Sequence, residues 1–127
     1  MIDHISIEVS DLARATKFYE SVLGTLGMTK LRTWPTASGF GKVYPEFWLN
    51  ARPEMPKTRD DSGIHICLRA RGKDAVDAFF AAALREGATS DGRPGLRPEY
   101  NDRYYAAFIR DLDGNRIEAV TFLSEAE

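Results

Sequence analysis

The chain has 127 residues, enough for one ordinary hydrophobic core and too few for two comfortable domains. Its 43% hydrophobic and 28% charged residues are the composition of a soluble globular protein rather than a disordered one, and a formal charge of -2 gives no basis for a nucleic-acid partner. No apolar run is long enough to span a bilayer and the N-terminus lacks a basic-then-apolar leader, so no membrane association is expected and the cytoplasm is the expected location. The single cysteine, Cys67, excludes an internal disulfide and a cysteine-based zinc knuckle.

In residues 2–9, Ile5, Ile7 and Val9 alternate with His4, Ser6 and Glu8, which predicts a strand with one apolar and one polar face. Ser10-Asp11 then supplies a helix N-cap. Leu12, Ala15, Phe18, Tyr19, Val22 and Leu23 follow at helical spacing, and Gly24 stops the helix. Residues 27–34 read as a second strand, residues 35–41 as a turn, and two short strands follow, near 40–44 and 46–50. Prolines and charges then mark a connector, dividing the chain into module one (1–52), connector (53–62) and module two (63–127) of a single domain.

Module two opens with an alternating strand over 63–70, in which His65, Cys67 and Arg69 oppose Ile64, Ile66, Leu68 and Ala70. A helix over 73–86 carries an apolar stripe of Val76, Phe79, Phe80, Ala83 and Leu84, and Gly87 ends it. Residues 87–89 open another strand, and residues 92–102 read as a Gly/Pro-rich loop. Asp113-Gly114-Asn115 then turns a closing hairpin between 104–109 and 117–123.

Both halves therefore read β-α-β-β-β. His65 lies 61 positions after His4, Phe79 lies 61 after Phe18, Leu84 lies 61 after Leu23, and Gly87 lies 60 after Gly27, the signature of an internal duplication. The expected fold is α+β: two tandem βαβββ modules forming a cupped, incomplete barrel-like mixed sheet with the helices outside. On that geometry His4, Ser6 and Glu8 face the cup from one half, and His65, Cys67 and Arg69 from the other. Glu118, among Ile117, Ala119, Val120 and Phe122, is a carboxylate whose burial requires something positive to face it. A strand histidine or a glutamate after a turn is, taken singly, more often an ordinary surface or core residue. The chain's two histidines, however, fall at equivalent places in the repeat. Two imidazoles and a carboxylate converging from three strands suit a divalent metal with open positions.

These residues carry a resemblance. The opening DHISIEVSDLARATKFYESVLGTLGM, the strand GIHICLRA and the closing YYAAFIRDLDGNRIEAV resemble the vicinal oxygen chelate superfamily, which includes glyoxalase I, extradiol dioxygenases, and bleomycin and fosfomycin resistance proteins. The resemblance implies a divalent metal (Zn, Ni, Mn or Fe(II)) on His4, His65 and Glu118, and a small-molecule substrate that chelates through neighbouring oxygens. It also implies a homodimer. A fourth carboxylate, common in glyoxalase I, falls on Glu46, which either serves as ligand or base or is a solvated strand end. The loop Pro98-Glu99-Tyr100-Asn101 lacks the histidines that small relatives often carry there.

With Glu118 and Glu46 as the expected catalytic carboxylates, Glu8, Glu99 and Tyr100 are further candidates for a base. Arg69 is placed to pair with Glu8 or with a substrate carboxylate. Trp34, Tyr44, Trp48 and Tyr104 are candidates for a pocket wall, with Trp48, Tyr100 and Tyr104 expected at the substrate, and Cys67 reads as a small buried hydrophobe. The implied function is a metal-dependent lyase or isomerase of glyoxalase type. An extradiol-type Fe(II) dioxygenase and a binding protein that sequesters a drug or metabolite are the alternatives.

Overall fold

The computed structural model describes residues 1–124, so the last three residues of the expected second module lie outside the described residues. In chain order the elements are β1 (Ile5–Val9), α1 (Leu12–Gly24), β2 (Thr29–Trp34), β3 (Ala37–Gly41), β4 (Phe47–Ala51), β5 (His65–Arg69), α2 (Lys73–Arg85), β6 (Thr89–Leu96), β7 (Tyr104–Arg110) and β8 (Arg116–Phe122). They form two four-stranded mixed sheets, ordered β1-β4-β3-β2 and β5-β8-β7-β6. The pairs β1 with β4 and β5 with β8 are parallel, and the other neighbours are antiparallel. The duplication is visible in the helices, which begin at 12 and 73 and end at 24 and 85, an offset of 61 at both ends. No helix among the described residues is long and apolar enough to cross a membrane.

Alternation fixes the faces of both opening strands. Ile7 and Val9 of β1 are buried while Ser6 and Glu8 are exposed; Ile66 and Leu68 of β5 pack against the core while His65, Cys67 and Arg69 face away from it. The helices cover the apolar faces. α1 buries Ala15, Phe18, Tyr19, Val22 and Leu23, and α2 buries Val76, Phe79, Ala82 and Ala83. Each large apolar side chain so buried contributes about 1.5–3 kcal/mol. Asp11 caps α1 by accepting from the Arg14 amide at 3.1 Å. The residue that redirects the chain after α1 is Gly27 rather than Gly24: Thr25 occupies the C-cap, and Gly27 (φ 86) and its repeat partner Gly87 (φ 105) take the left-handed conformation that leads into the next strand.

Three segments depart from expectation. β3 begins at Ala37 and shrinks the expected turn to two residues, because Ala37, Ser38, Gly39 and Phe40 are buried in a strand with neighbours on both sides. Small residues there resemble turn composition but allow covering side chains to approach. The Gly/Pro-rich stretch from Gly92 likewise continues β6 to Leu96, since β6 is an edge strand, where Pro94 leaves no neighbour unbonded. Its glycines are absorbed as register shifts at Ser90/Gly92 and Gly92/Gly95, with Gly92 at φ 156 lying close under Phe108. Leu84, expected in the apolar stripe, is exposed: α2 packs on α1 as well as on its sheet, and its buried face includes Ala82 instead.

The two halves are clasped by the turn between β7 and β8. Asp111 and Asp113 are 7% and 4% exposed, and both reach across to module one. Tyr19 of α1 donates its hydroxyl to Asp111 Oδ2 at 2.6 Å, and Ser10 donates through its amide and hydroxyl to Asp113 at 3.1 and 2.6 Å. Asn115 Nδ2 donates to the Glu8 carbonyl at 3.1 Å, and Asp111 Oδ1 accepts the amides of Asp113 and Asn115 within its own turn. Burial pushes the Asp111 carboxyl up against the lowering effect of these donors, and burial beside Asp111 raises the Tyr19 phenol well above its ordinary value. Replacing Tyr19 by Phe leaves a buried carboxylate one donor short. Urea denaturation should show Tyr19→Phe less stable by about 1–3 kcal/mol; an unchanged midpoint would remove this clasp from the account.

Candidate active site

The polar face of β5, β8 and β7 gathers the chemistry. Register pairs His65 with Arg116, Cys67 with Glu118, and Phe108 with Glu118, which places these side chains on one face. Ile117 and Ala119 point to the helix side and join the core, as the strand period requires. Glu118 is only 2% exposed. Its Oε1 lies 3.2 Å from His65 Nε2, and its Oε2 accepts a hydrogen bond from the Tyr104 hydroxyl. Tyr104 meets Tyr100 and Phe122 edge-on, at ring separations of 5.1 and 5.4 Å. A cleft of about 410 Å³ opens here, lined by His65, Glu118, Tyr100, Tyr104, Phe108 and Arg116 among others.

Desolvation, followed by the hydrogen bond to Glu118, pushes the Tyr104 phenol far above its ordinary value. The Cys67 thiol is pushed up to about 12, first by desolvation and then by the Glu118 charge. Both groups are therefore protonated at neutral pH. Cys67 is exposed rather than the buried hydrophobe expected, with its sulfur 3.9 Å from the Tyr104 hydroxyl, because its strand position turns it to the cup and not to the helix.

His4 stands outside the His65–Glu118 pair. Its ring is exposed and Nδ1 lies 2.7 Å from Asp3 Oδ1. Among the described residues no three His, Cys, Asp or Glu side chains gather into a metal-holding group. His4 does share a second cleft, of about 440 Å³, with His65, Glu46, Tyr44 and Cys67. A carboxylate on Nδ1 is also the contact that orients the other nitrogen of a ligating imidazole. As a donor set, a buried carboxylate, the imidazole beside it and a second imidazole suit a divalent cation; His65 lines both clefts, while Glu118 lines the first and His4 the second. Glu46, immediately before β4, is half-buried on that cleft wall, with its backbone fixed by Ile5 and Phe40.

The remaining expected residues separate. Trp48 stacks with Trp34 at 4.9 Å beside His4 and Asn50, in module one's cup and away from Tyr104. Arg69 lies over the Phe122 ring at 5.1 Å and not on Glu8. Residues that sequence reasoning missed also line the cleft, Arg116, Phe108 and Asp91 among them. Arg116 precedes Glu118 by two positions in one strand, so the parity that placed Glu118 in the cup was the signal that could have found it.

The family model of the Glyoxalase/Bleomycin resistance protein/Dioxygenase superfamily matches residues 1–119. The chain belongs to this superfamily. A glyoxalase/bleomycin resistance protein from Albidiferax ferrireducens T118 is 31% identical and superposes with a TM-score of 0.81 over 94% of this chain and 97% of that one. The fosfomycin resistance protein FosX of Listeria monocytogenes, 15% identical, shares the superfamily fold, with a TM-score of 0.70 over 98% of this chain and 95% of its own. A 2,2',3-trihydroxybiphenyl dioxygenase of Sphingomonas paucimobilis is 28% identical over 119 residues, which are 92% of this chain. The chain spans 40% of that enzyme's length.

The raised thiol gives a direct check on the cluster. At pH 8, iodoacetamide should label Cys67 in chelator-treated protein roughly a hundredfold or more slower than a free thiol, and labelling should accelerate in Glu118→Gln. Fast labelling of the parent would contradict the packing described around the sulfur.

Proposed function

We propose that the chain is a metal-dependent enzyme of lyase or isomerase type that takes a small substrate by two neighbouring oxygens. His4, His65 and Glu118 would hold the divalent cation, one of Zn(II), Ni(II), Mn(II) or Fe(II). The observation that carries the reading is the Glu118 carboxylate. It is buried, opens onto a cleft, and among the described residues has no ion-pair partner except the His65 imidazole. An anion in that position is costly without a cation to face it.

When bound, the cation would supply Lewis acidity to the two substrate oxygens and offset the charge that develops on them. The chain's own groups do the rest. Tyr104 fixes the Glu118 carboxylate by its hydrogen bond, and Tyr100, Tyr104 and Phe108 form an aromatic wall that confines a flat substrate and excludes water. Glu46, on the cleft shared by His4 and His65, is the carboxylate best placed to accept a proton from the substrate.

The dioxygenase relative favours a second reading, an Fe(II) enzyme of extradiol type acting on an aromatic diol. Two imidazoles and one carboxylate suit that metal, and the aromatic wall suits that substrate.

Metal analysis of protein purified without chelator should find about one divalent ion per chain. The ion should be lost from His4→Ala, His65→Ala and Glu118→Gln while circular dichroism stays native. Iron with oxygen consumption on catechols selects the dioxygenase; zinc, nickel or manganese without it selects the lyase or isomerase. A metal-free parent that binds an aromatic drug tightly would replace both readings with sequestration.

A further inference from the structure

Among the described residues, Arg116 is the one Lys or Arg that lines the cleft holding His65 and Glu118. It sits directly across from His65 in the strand register and two positions before Glu118. Its charge is poorly matched inside the protein. Nη2 donates to the Asp60 carbonyl at 2.5 Å, but Nε is buried with no hydrogen-bond acceptor, and the nearest carboxylate, on Asp91, stands 3.9 Å away. The neighbouring Arg110 takes the acids at closer range, Asp60 at 3.0 Å and Asp91 at 3.4 Å. A guanidinium anchored at one end and left without a close carboxylate has donors suited to a planar, bidentate anion.

We propose that Arg116 anchors a carboxylate on the substrate, and so selects acids over their neutral analogues. This rests on the reading of the His65–Glu118 pair as the place where the substrate's neighbouring oxygens are held. Glu118 and Asp91 line the same cleft, which disfavours a phosphate dianion and admits a single negative charge. Two strand positions separate Arg116 from Glu118 by roughly 7 Å, the span of one aromatic ring with its substituents. The substrate class is therefore a small acid whose carboxylate lies one ring, or an equivalent chain, from its pair of oxygens. The duplication sharpens the assignment. Extending the parallel register by one residue, Glu46 is the counterpart of Arg116 opposite His4, so the same position in module one carries the opposite charge.

The test compares 3,4-dihydroxybenzoate with its neutral methyl ester, by titration calorimetry on the Zn(II)-loaded full chain, where binding is read without turnover. The parent should bind the acid at least tenfold more tightly than the ester, the lower end of what a charge-assisted hydrogen bond contributes. That ratio should fall to about one in Arg116→Gln and lie between in Arg116→Lys, which keeps the charge and loses the fork. Equal binding of acid and ester by the parent, or a preference that survives Arg116→Gln, overturns the assignment and leaves the chelating reading standing. Failure of the parent to bind either compound overturns both. Because the parent alone can return a refuting result, a variant that fails to fold does not shelter the proposal.

Discussion

The structure depends on a carboxylate buried between its two halves. Asp111 occupies the turn between β7 and β8, accepts from its own turn through one oxygen, and receives the Tyr19 hydroxyl of the other module through the second. A buried acid with these donors is tolerable, and without them it is not. The turn therefore docks against α1 in one geometry. Ser10 on Asp113 and Asn115 on the Glu8 carbonyl repeat the constraint on either side. The clasp is also asymmetric: the residue 61 positions after Tyr19 is Phe80, which has no hydroxyl to offer.

What the clasp positions is the start of β8. Asn115 is held to module one, Arg116 and Ile117 follow at once, and Glu118 comes next, so the strand carrying the acid leaves the junction with its register already set. From there the pleat does the sorting. Ile117 and Ala119 go to the helix side, Arg116 and Glu118 to the cup. His65 arrives from the parallel neighbour and Tyr104 from the antiparallel one, which is how residues far apart in the chain meet at one carboxylate. The site is made of strand positions, and its precision is that of the sheet.

Much of this was legible from the residues. The period-2 alternation of β1 and β5, the helical stripes and the offset of 61 depend on local side-chain order, and they placed both opening strands and both helices. The parity of Glu118 against Ile117 and Ala119 was readable for the same reason. What was not legible depended on neighbours. Ala37-Ser38-Gly39 and Gly92 to Leu96 look like turns until the strands beside them are known, and Leu84 belongs to an apolar stripe until α1 lies against α2. The aromatic residues could be named as wall-forming but not assigned to walls. Trp34 and Trp48 line one half's cup, and Tyr100 and Tyr104 the other's. His4 shows the same limit, since sequence spacing gave it a place in the repeat and could not foresee that its ring would rest on Asp3.

In the parallel register, Cys67 faces Glu118 in module two while Ser6 faces Trp48 in module one, so an indole stands where its twin has the acid. Repetition of the backbone is thus not repeated in the side chains: one mouth of the frame presents a buried acid and the other a flat aromatic surface. The near-twofold relation between the halves is thereby turned into a polarity, and the two ends of each polypeptide are no longer interchangeable.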